Sequence, residues 1–550
     1  MTSTVFRLAA LSVLALGACT GTDSDVTDDT ELPGPDPMCE DGLARTAFDA
    51  DAAGLWFGEK AGDFTITTLG AGSWTLSDAW TGCDNYVILA YWPGNRTSEA
   101  VFASPTSTLF KTGPNVHYIF ASDQVSSTDR VAWMEDLRDK VQASVDALPE
   151  GERDSWEGRL HFSTARLSNE EGGLSEMLTD YNVWAANPGN RADLGERGMA
   201  SAPRLSAFGI DRLQRWDAGG SMSETVGGAQ TFKLASYLGG FYDQRVRMAE
   251  EIAATEADES VLIDEEGVTD RIIVKTVDVP ADRSAFDTFE FDILVDCKER
   301  NPFMCSEWDR IARIDLCLDG EDCADRREVV RWITPYWRRG ERRWLIDASP
   351  LMGILPEGGQ ATFRIEHGPG WERATARDVR IAARFRTQGD RPKATGGARA
   401  FTGGNFNADY NTRDPFAFTP PASASRVELV TILSGHGQTN GNNCAEWCDH
   451  RHQFALNGTD LPEIASEGGI GSVDGCGYAA ALGASPGQWG NWAPKRAYWC
   501  PGLPVEAERL DITDQVTLGS ENQLTYQGRF LGGEPKGGSI ALSAYVVWYE

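Results

Sequence analysis

Thr288-Phe289-Glu290-Phe291-Asp292-Ile293-Leu294-Val295 sets Phe289, Phe291, Ile293 and Val295 in alternation with Thr288, Glu290, Asp292 and Leu294. A period of two sends alternate side chains to opposite faces, so this stretch is predicted to be a half-buried strand. The alternation returns at Val379, Ile381, Ala383 and Phe385, and again at Ile540, Leu542, Ala544, Val546 and Trp548. From Arg271 to Glu550 the chain is therefore expected to be all-β. A Gly- and Asn-rich connection, Gly396 to Thr412, parts two blocks, taken as 271–390 and 421–550 with a linker over 391–420. Many short strands joined by long loops fit two antiparallel sandwiches.

Toward the N-terminus the texture changes to mixed α/β over 39–255. Gly62 to Ile66 and the apolar run Tyr86 to Trp92 read as strands. Val131, Met134, Leu137, Val141 and Val145 recur at helical spacing after the capping candidates Ser127 and Thr128. Such alternation of strand and helix predicts a partly parallel sheet. A further helical stretch, Leu234 to Thr255, closes the domain, and the acidic run 256–270 is expected to be a linker. The order of segments, including Val116 to Phe120, Gly158 to Phe162 and Ala202-Pro203 ahead of Phe208 to Asp211, resembles a thioredoxin-like domain. No Cys-x-x-Cys follows the strand ending at Trp92, which argues against redox catalysis and for a structural or substrate-facing role.

At the start of the chain Arg7 precedes an apolar run, Leu8 to Leu16, too short to span a bilayer as a mature helix. The run ends in Leu16-Gly17-Ala18-Cys19, which resembles a lipobox. Residues 1–18 are then a leader, Cys19 carries a lipid, and the polar segment 19–38 is a tether unable to bury a core. The alternative is an ordinary leader followed by a chance cysteine. Export and lipid anchoring to a bacterial membrane, at the outer membrane or cell surface, are the expectation. The formal charge of −32, from 50 basic and 82 acidic residues spread along the chain, argues against nucleic acid as a partner.

The chain has 11 cysteines. With Cys19 given to lipid, an even number remains for an oxidising compartment. Close spacing pairs Cys297 with Cys305, Cys317 with Cys323, and Cys444 with Cys448. A competing reading makes Cys444, Cys448, His450 and His452 ligands of a zinc ion on spacing alone.

Five segments carry the functional reading: Glu307-Trp308-Asp309-Arg310, Trp332 to Trp337, Ser434-Gly435-His436-Gly437, Cys444-Ala445-Glu446-Trp447-Cys448, and Asn491 to Gly502 with its Lys495-Arg496-Ala497-Tyr498-Trp499-Cys500. In content and order they resemble the bacterial peptide-N-glycosidase F family, over about half the chain, from Arg271 to the end. The resemblance implies two eight-stranded jelly rolls packed side by side and an amidase that removes N-linked glycans. It adds the pair Cys476–Cys500, which leaves Cys39 and Cys83 to each other.

Hydrolysing a glycosylated asparagine requires a carboxylate to activate water and donors to hold an oxyanion, with no metal or cofactor. The resemblance assigns the principal catalytic role to Asp309 and makes Glu446 a second carboxylate that holds water or the first sugar. Arg310 and Arg496 are the matched basic residues, suited to carbonyl and sugar oxygens. Trp308, Trp447 and Trp499 offer flat faces to sugar rings, with core packing as the alternative, and His436 stands where the family often has tryptophan. Glu366 corresponds to a third acidic residue, but it lies five residues before Trp371 with Gly368-Pro369-Gly370 between, a remodelled loop. The expected substrate is an N-glycoprotein or glycopeptide. A non-catalytic carbohydrate-binding lipoprotein on the same fold is the alternative, and a surface protein that binds a partner protein is a third reading.

Overall fold

The computed structural model describes residues 38–113, 115–190, 204–220, 231–297, 308–336, 338, 340–368, 376–389, 391–437, 444–465, 474–488, 492–530 and 537–550. The leader, Cys19, the tether up to Pro37, Cys305 with its expected bond to Cys297, Glu307, Trp337, Trp371 and Asn491 lie outside the described residues.

The N-terminal domain is built on a sheet ordered Gly72–Thr75, Phe64–Thr68, Leu160–Arg166, Val116–Ser122, Asn85–Tyr91, Ala207–Ile210 and Trp216–Asp217. Its centre is parallel, with Asn85–Tyr91 beside Val116–Ser122 and that beside Leu160–Arg166. Both faces of the Tyr86 to Ala90 run are buried, which is why the run is apolar without alternation. The helix Ser127–Asp146 packs Met134, Leu137, Val141 and Val145 inward. Its cap is Ser126, whose Oγ accepts from Asp129 N at 3.3 Å, and not Ser127 or Thr128. The helix Leu238–Ala254 closes the domain as expected, and Cys39–Cys83 is formed.

Two antiparallel jelly-roll sandwiches follow. The first pairs the sheet Ile272–Asp278, Gln360–Glu366, Ile311–Cys317, Arg326–Ile333 with the sheet Arg342–Asp347, Thr288–Asp296, Arg377–Arg386, Asp258–Val268. Phe289, Phe291, Ile293, Ile314, Phe363 and Ile381 meet between them. The second pairs Ala394–Asn405, Ser539–Tyr549, Arg426–His436, Ala507–Asp511 with Phe416–Phe418, Asn522–Phe530, His450–Leu456, Thr459–Asp460.

Both expected linkers need correction. The acidic run 256–270 contains the edge strand Asp258–Val268. Leu262 and Ile263 enter the core, while Glu259 pairs with Arg380 at 2.8 Å and Arg384 at 3.2 Å on the neighbouring strand. The Gly-rich segment inside 391–420 contains the strand Ala394–Asn405. A Cβ at Gly403 would lie 1.8 Å from the Ile540 carbonyl oxygen, so glycine marks a close strand approach there rather than a loop.

The sandwiches meet through apolar and polar groups, Val430, Tyr545 and Val547 of the second joining the core of the first. Buried Arg331 makes a two-pronged pair with Glu328 at 2.6 and 2.7 Å, and donates to Ser434 Oγ and the Ala541 carbonyl, both at 2.8 Å. Ser543 Oγ donates to Glu328 at 2.6 Å. In addition, Gly502 to Val505 runs antiparallel along Arg326–Ile333, with Ile333 N donating to Leu503 O at 2.9 Å and Val505 N to Arg331 O at 2.9 Å.

The N-terminal domain is joined to this β half by buried charge. Arg338, fully buried, pairs with Asp217 and donates to the carbonyls of Gly219 and Pro486. Arg245 pairs with Asp217 at 3.2 Å and Asp211 at 2.8 Å. Burial works to raise the Asp217 pKa, but Arg338 and Arg245 outweigh it and hold it at about 2. Arg338 and Arg342 also lie over the Phe241 ring, 4.8 and 4.6 Å from its centroid.

Candidate active site

Asp309 stands two residues before the strand Ile311–Cys317. Thr334 fixes that approach, its hydroxyl accepting from Arg310 N at 2.9 Å and its own amide donating to Arg310 O at 2.9 Å. Glu446 sits in the single helical turn Cys444–Trp447, closed by Cys444–Cys448. This turn rests on the strand at Gly435, where a Cβ would come within 1.8 Å of the Ala445 carbonyl oxygen. Only glycine admits that contact. Ala497 N then donates to Glu446 O at 3.0 Å, bringing up the segment that carries Arg496.

Arg496, 1% exposed, joins the two carboxylates: its Nη2 lies 3.3 Å from Asp309 Oδ2 and its Nε 3.4 Å from Glu446 Oε1. Its guanidinium faces the rings of Trp447 and Trp499, each 4.9 Å to the centroid. Nη1 donates to the carbonyls of Trp492 and Pro494, both at 3.2 Å. Glu446 also accepts from Gly437 N at 3.4 Å. Burial first, then the charge of Asp309, pushes the Glu446 pKa up to about 7 against the opposing pull of Arg496. One carboxyl of the pair therefore carries a proton near neutrality, which suits it to donate or share that proton.

Of the expected site residues, the structure brings Asp309, Glu446, Arg496, Trp447 and Trp499 together. Arg310 flanks the cluster and is half-buried, and Trp308 is exposed beside Asp309. Trp499 is buried, with Nε1 donating to Gly435 O at 2.7 Å, so it serves as packing behind the arginine more than as an open platform. His436 stacks on Trp499 at 5.0 Å and bonds Ser434 Oγ at 2.7 Å. Burial, then Arg331 and Arg496, push its pKa down to about 3, so the ring is neutral. Glu366 is placed elsewhere: its carboxylate is held by Arg364 at 2.7 Å and Arg313 at 3.1 Å, beside Asp315. Burial works to raise its pKa, but these arginines lower it.

Cys444 and Cys448 are bonded to each other, His450 Nδ1 meets His452 Nε2 at 2.8 Å, and His450 Nε2 meets the Ala445 carbonyl at 2.8 Å. The alternative zinc set is thereby engaged in other bonds. Cys317–Cys323 and Cys476–Cys500 are also formed. Sequence reading missed Tyr336 as a site residue. Burial raises its hydroxyl pKa, and Arg496, Asp309 and Glu446 all act on it. The quoted Trp332 to Trp337 motif held the signal, but an apolar context hid the hydroxyl.

Residues 405–547 match the family described as peptide-N-glycosidase F, C terminal. The β half of this chain is similar to peptide-N-glycosidase F. It is 25% identical over 285 residues to peptide-N(4)-(N-acetyl-beta-D-glucosaminyl)asparagine amidase F of Elizabethkingia miricola, covering 50% of this chain and 77% of that protein. Among solved structures, PNGase F, a glycosylasparaginase from Flavobacterium meningosepticum, aligns at 22% identity and TM-score 0.40, over 54% of this chain and 96% of its own. PNGF-II aligns at 11% identity and TM-score 0.41, over 55% and 66%.

Proposed function

We propose that this protein hydrolyses the amide linking an asparagine side chain to the first N-acetylglucosamine of an N-glycan, leaving aspartate and releasing the glycan as a glycosylamine. The observation that carries this reading is one buried arginine shared by two carboxylates from different sandwiches, one of them titrating near neutrality. Asp309 accepts a proton from water as that water attacks the side-chain carbonyl carbon. Arg496 and Arg310 supply donors for the charge that develops on the carbonyl oxygen. Protonated Glu446 gives its proton to the departing nitrogen as the carbon–nitrogen bond breaks. Trp308, exposed beside Asp309, and half-buried Trp447 present apolar faces to the sugar. Export and anchoring through Cys19 complete the proposal, since N-glycoproteins would be met outside the cell.

The test is conversion of a denatured N-glycoprotein in heavy-oxygen water, read by mass spectrometry, with Asp309→Asn as control. Labelled aspartate in place of asparagine, absent in the control, supports the reading. Failure across several glycan types sinks it. A second reading, carbohydrate binding without turnover, is favoured by the engagement of Glu366 with Arg313 and Arg364. It predicts glycan binding with no released sugar.

A further inference from the structure

The guanidinium that joins the two carboxylates is aimed partly by its own backbone, through the carbonyls of Trp492 and Pro494. That backbone is in turn held from outside the sandwiches. Trp492 is fully buried, and its ring meets Tyr237 of the N-terminal domain edge-on, centroids 6.1 Å apart at 90°. Ala493 O accepts from Cys476 N at 2.8 Å and Gly477 N at 3.3 Å. Gly477 lies so close to the Tyr237 ring that a Cβ there would stand 2.5 Å from it. Cys476 is bonded to Cys500 at the far end of the same segment, and Lys233 of the N-terminal domain pairs with Asp474 at its start. Trp492 and Ala493 belong to the apolar core of the N-terminal domain, together with Tyr237 and Phe241. The start of the arginine-bearing segment is thus packed as part of that domain.

We propose that Tyr237 is a positioning residue for Arg496, acting through Trp492, so that the N-terminal domain sets the geometry of the carboxylate pair. The inference rests on Arg496 being the bridge between Asp309 and Glu446. A packed contact of this kind transmits by displacement: remove the Tyr237 ring and the Trp492 carbonyl is free to move, and the guanidinium with it.

The readout is the titration of Glu446, which faces Asp309, Arg496, the Gly437 amide and the Tyr336 hydroxyl. It is followed by carbon NMR of the full chain labelled at glutamate carboxyls, with Glu446→Gln for assignment. Because Arg496 lowers the Glu446 pKa, displacing it in Tyr237→Ala raises that pKa, by about half a unit or more, whereas Tyr237→Phe keeps the wild-type value. On a glycopeptide, kcat falls on the order of tenfold in Tyr237→Ala with KM little changed, and Tyr237→Phe restores it. A folded Tyr237→Ala protein with wild-type Glu446 titration and wild-type kcat overturns the inference. If that variant does not fold, Tyr237→Leu, which keeps apolar volume without the ring, decides the question by the same titration. Should the wild-type protein release no glycan, the proposed activity fails while the titration still judges the positioning role.

Discussion

Replacing Asp309 by asparagine removes one charge from beside Glu446 and leaves the arginine between them. The carboxylates contact adjacent nitrogens of one guanidinium, at 3.3 and 3.4 Å, a separation of charge centres on the order of 7 Å. With an effective dielectric constant of about 20, Coulomb's law makes that repulsion about 2.4 kcal/mol, equivalent to a fall of between about one and two pKa units. Glu446 stands at about 7, raised by burial and then by Asp309. In Asp309→Asn it is expected to titrate between about 5 and 6, the remaining elevation being due to burial. Carbon NMR over about pH 4 to 9 measures this without requiring activity, which the variant will lack. A Glu446 pKa that stays near 7, or rises, refutes the claim that Asp309 and Glu446 share one site. In the wild-type protein the same group gives kcat/KM a descending limb as pH rises through about 7, since the protonated form donates.

Three further outcomes follow from the geometry. A carboxyl raised in the folded state costs stability as pH climbs from its unfolded value to about 7, so Glu446→Gln should stabilise the protein above pH 7 by at most about 3 kcal/mol and leave it unchanged near pH 4, while abolishing hydrolysis; denaturant melts at both pH values check this. Arg338→Met leaves Asp217 buried with one fewer partner, and a loss of about 3 to 5 kcal/mol in denaturant unfolding is expected. Gly435→Ala drives a methyl into the Ala445 carbonyl and displaces the Glu446 turn, so hydrolysis should fall by more than about tenfold; retained activity would show that the turn can give way.

The alternating runs at Phe289 to Val295 and Val379 to Phe385 were legible because apolar side chains take one face and polar ones the other, but the expected half burial is wrong for the first: Glu290 and Asp292 are buried as well, covered by Arg386 at 2.9 Å and by Arg343 and Arg380 at 2.7 Å. Asp258–Val268 was hidden by its own charges: its acidic residues meet arginines on the adjacent strand, and composition alone cannot distinguish that from a solvated linker. Ala394–Asn405 was hidden by glycines whose purpose is close strand approach. At the site, motif resemblance located Asp309, Glu446 and Arg496, and the structure joins them. The placement of Glu366 was not legible, because Arg313 becomes its neighbour only through strand register, although Arg364 lies two residues away on the same strand. Nor did the sequence disclose that Trp492 belongs to the core of a different domain, since that contact spans Tyr237 to Trp492 and depends on how the domains dock.

The run Gly502 to Val505 carries one more implication. It bonds along Arg326–Ile333, which would otherwise be the outermost strand of its sheet. An uncovered edge of that kind is a template for pairing with other chains. The second sandwich therefore shields the first from self-association, and the first sandwich produced alone should be prone to aggregate.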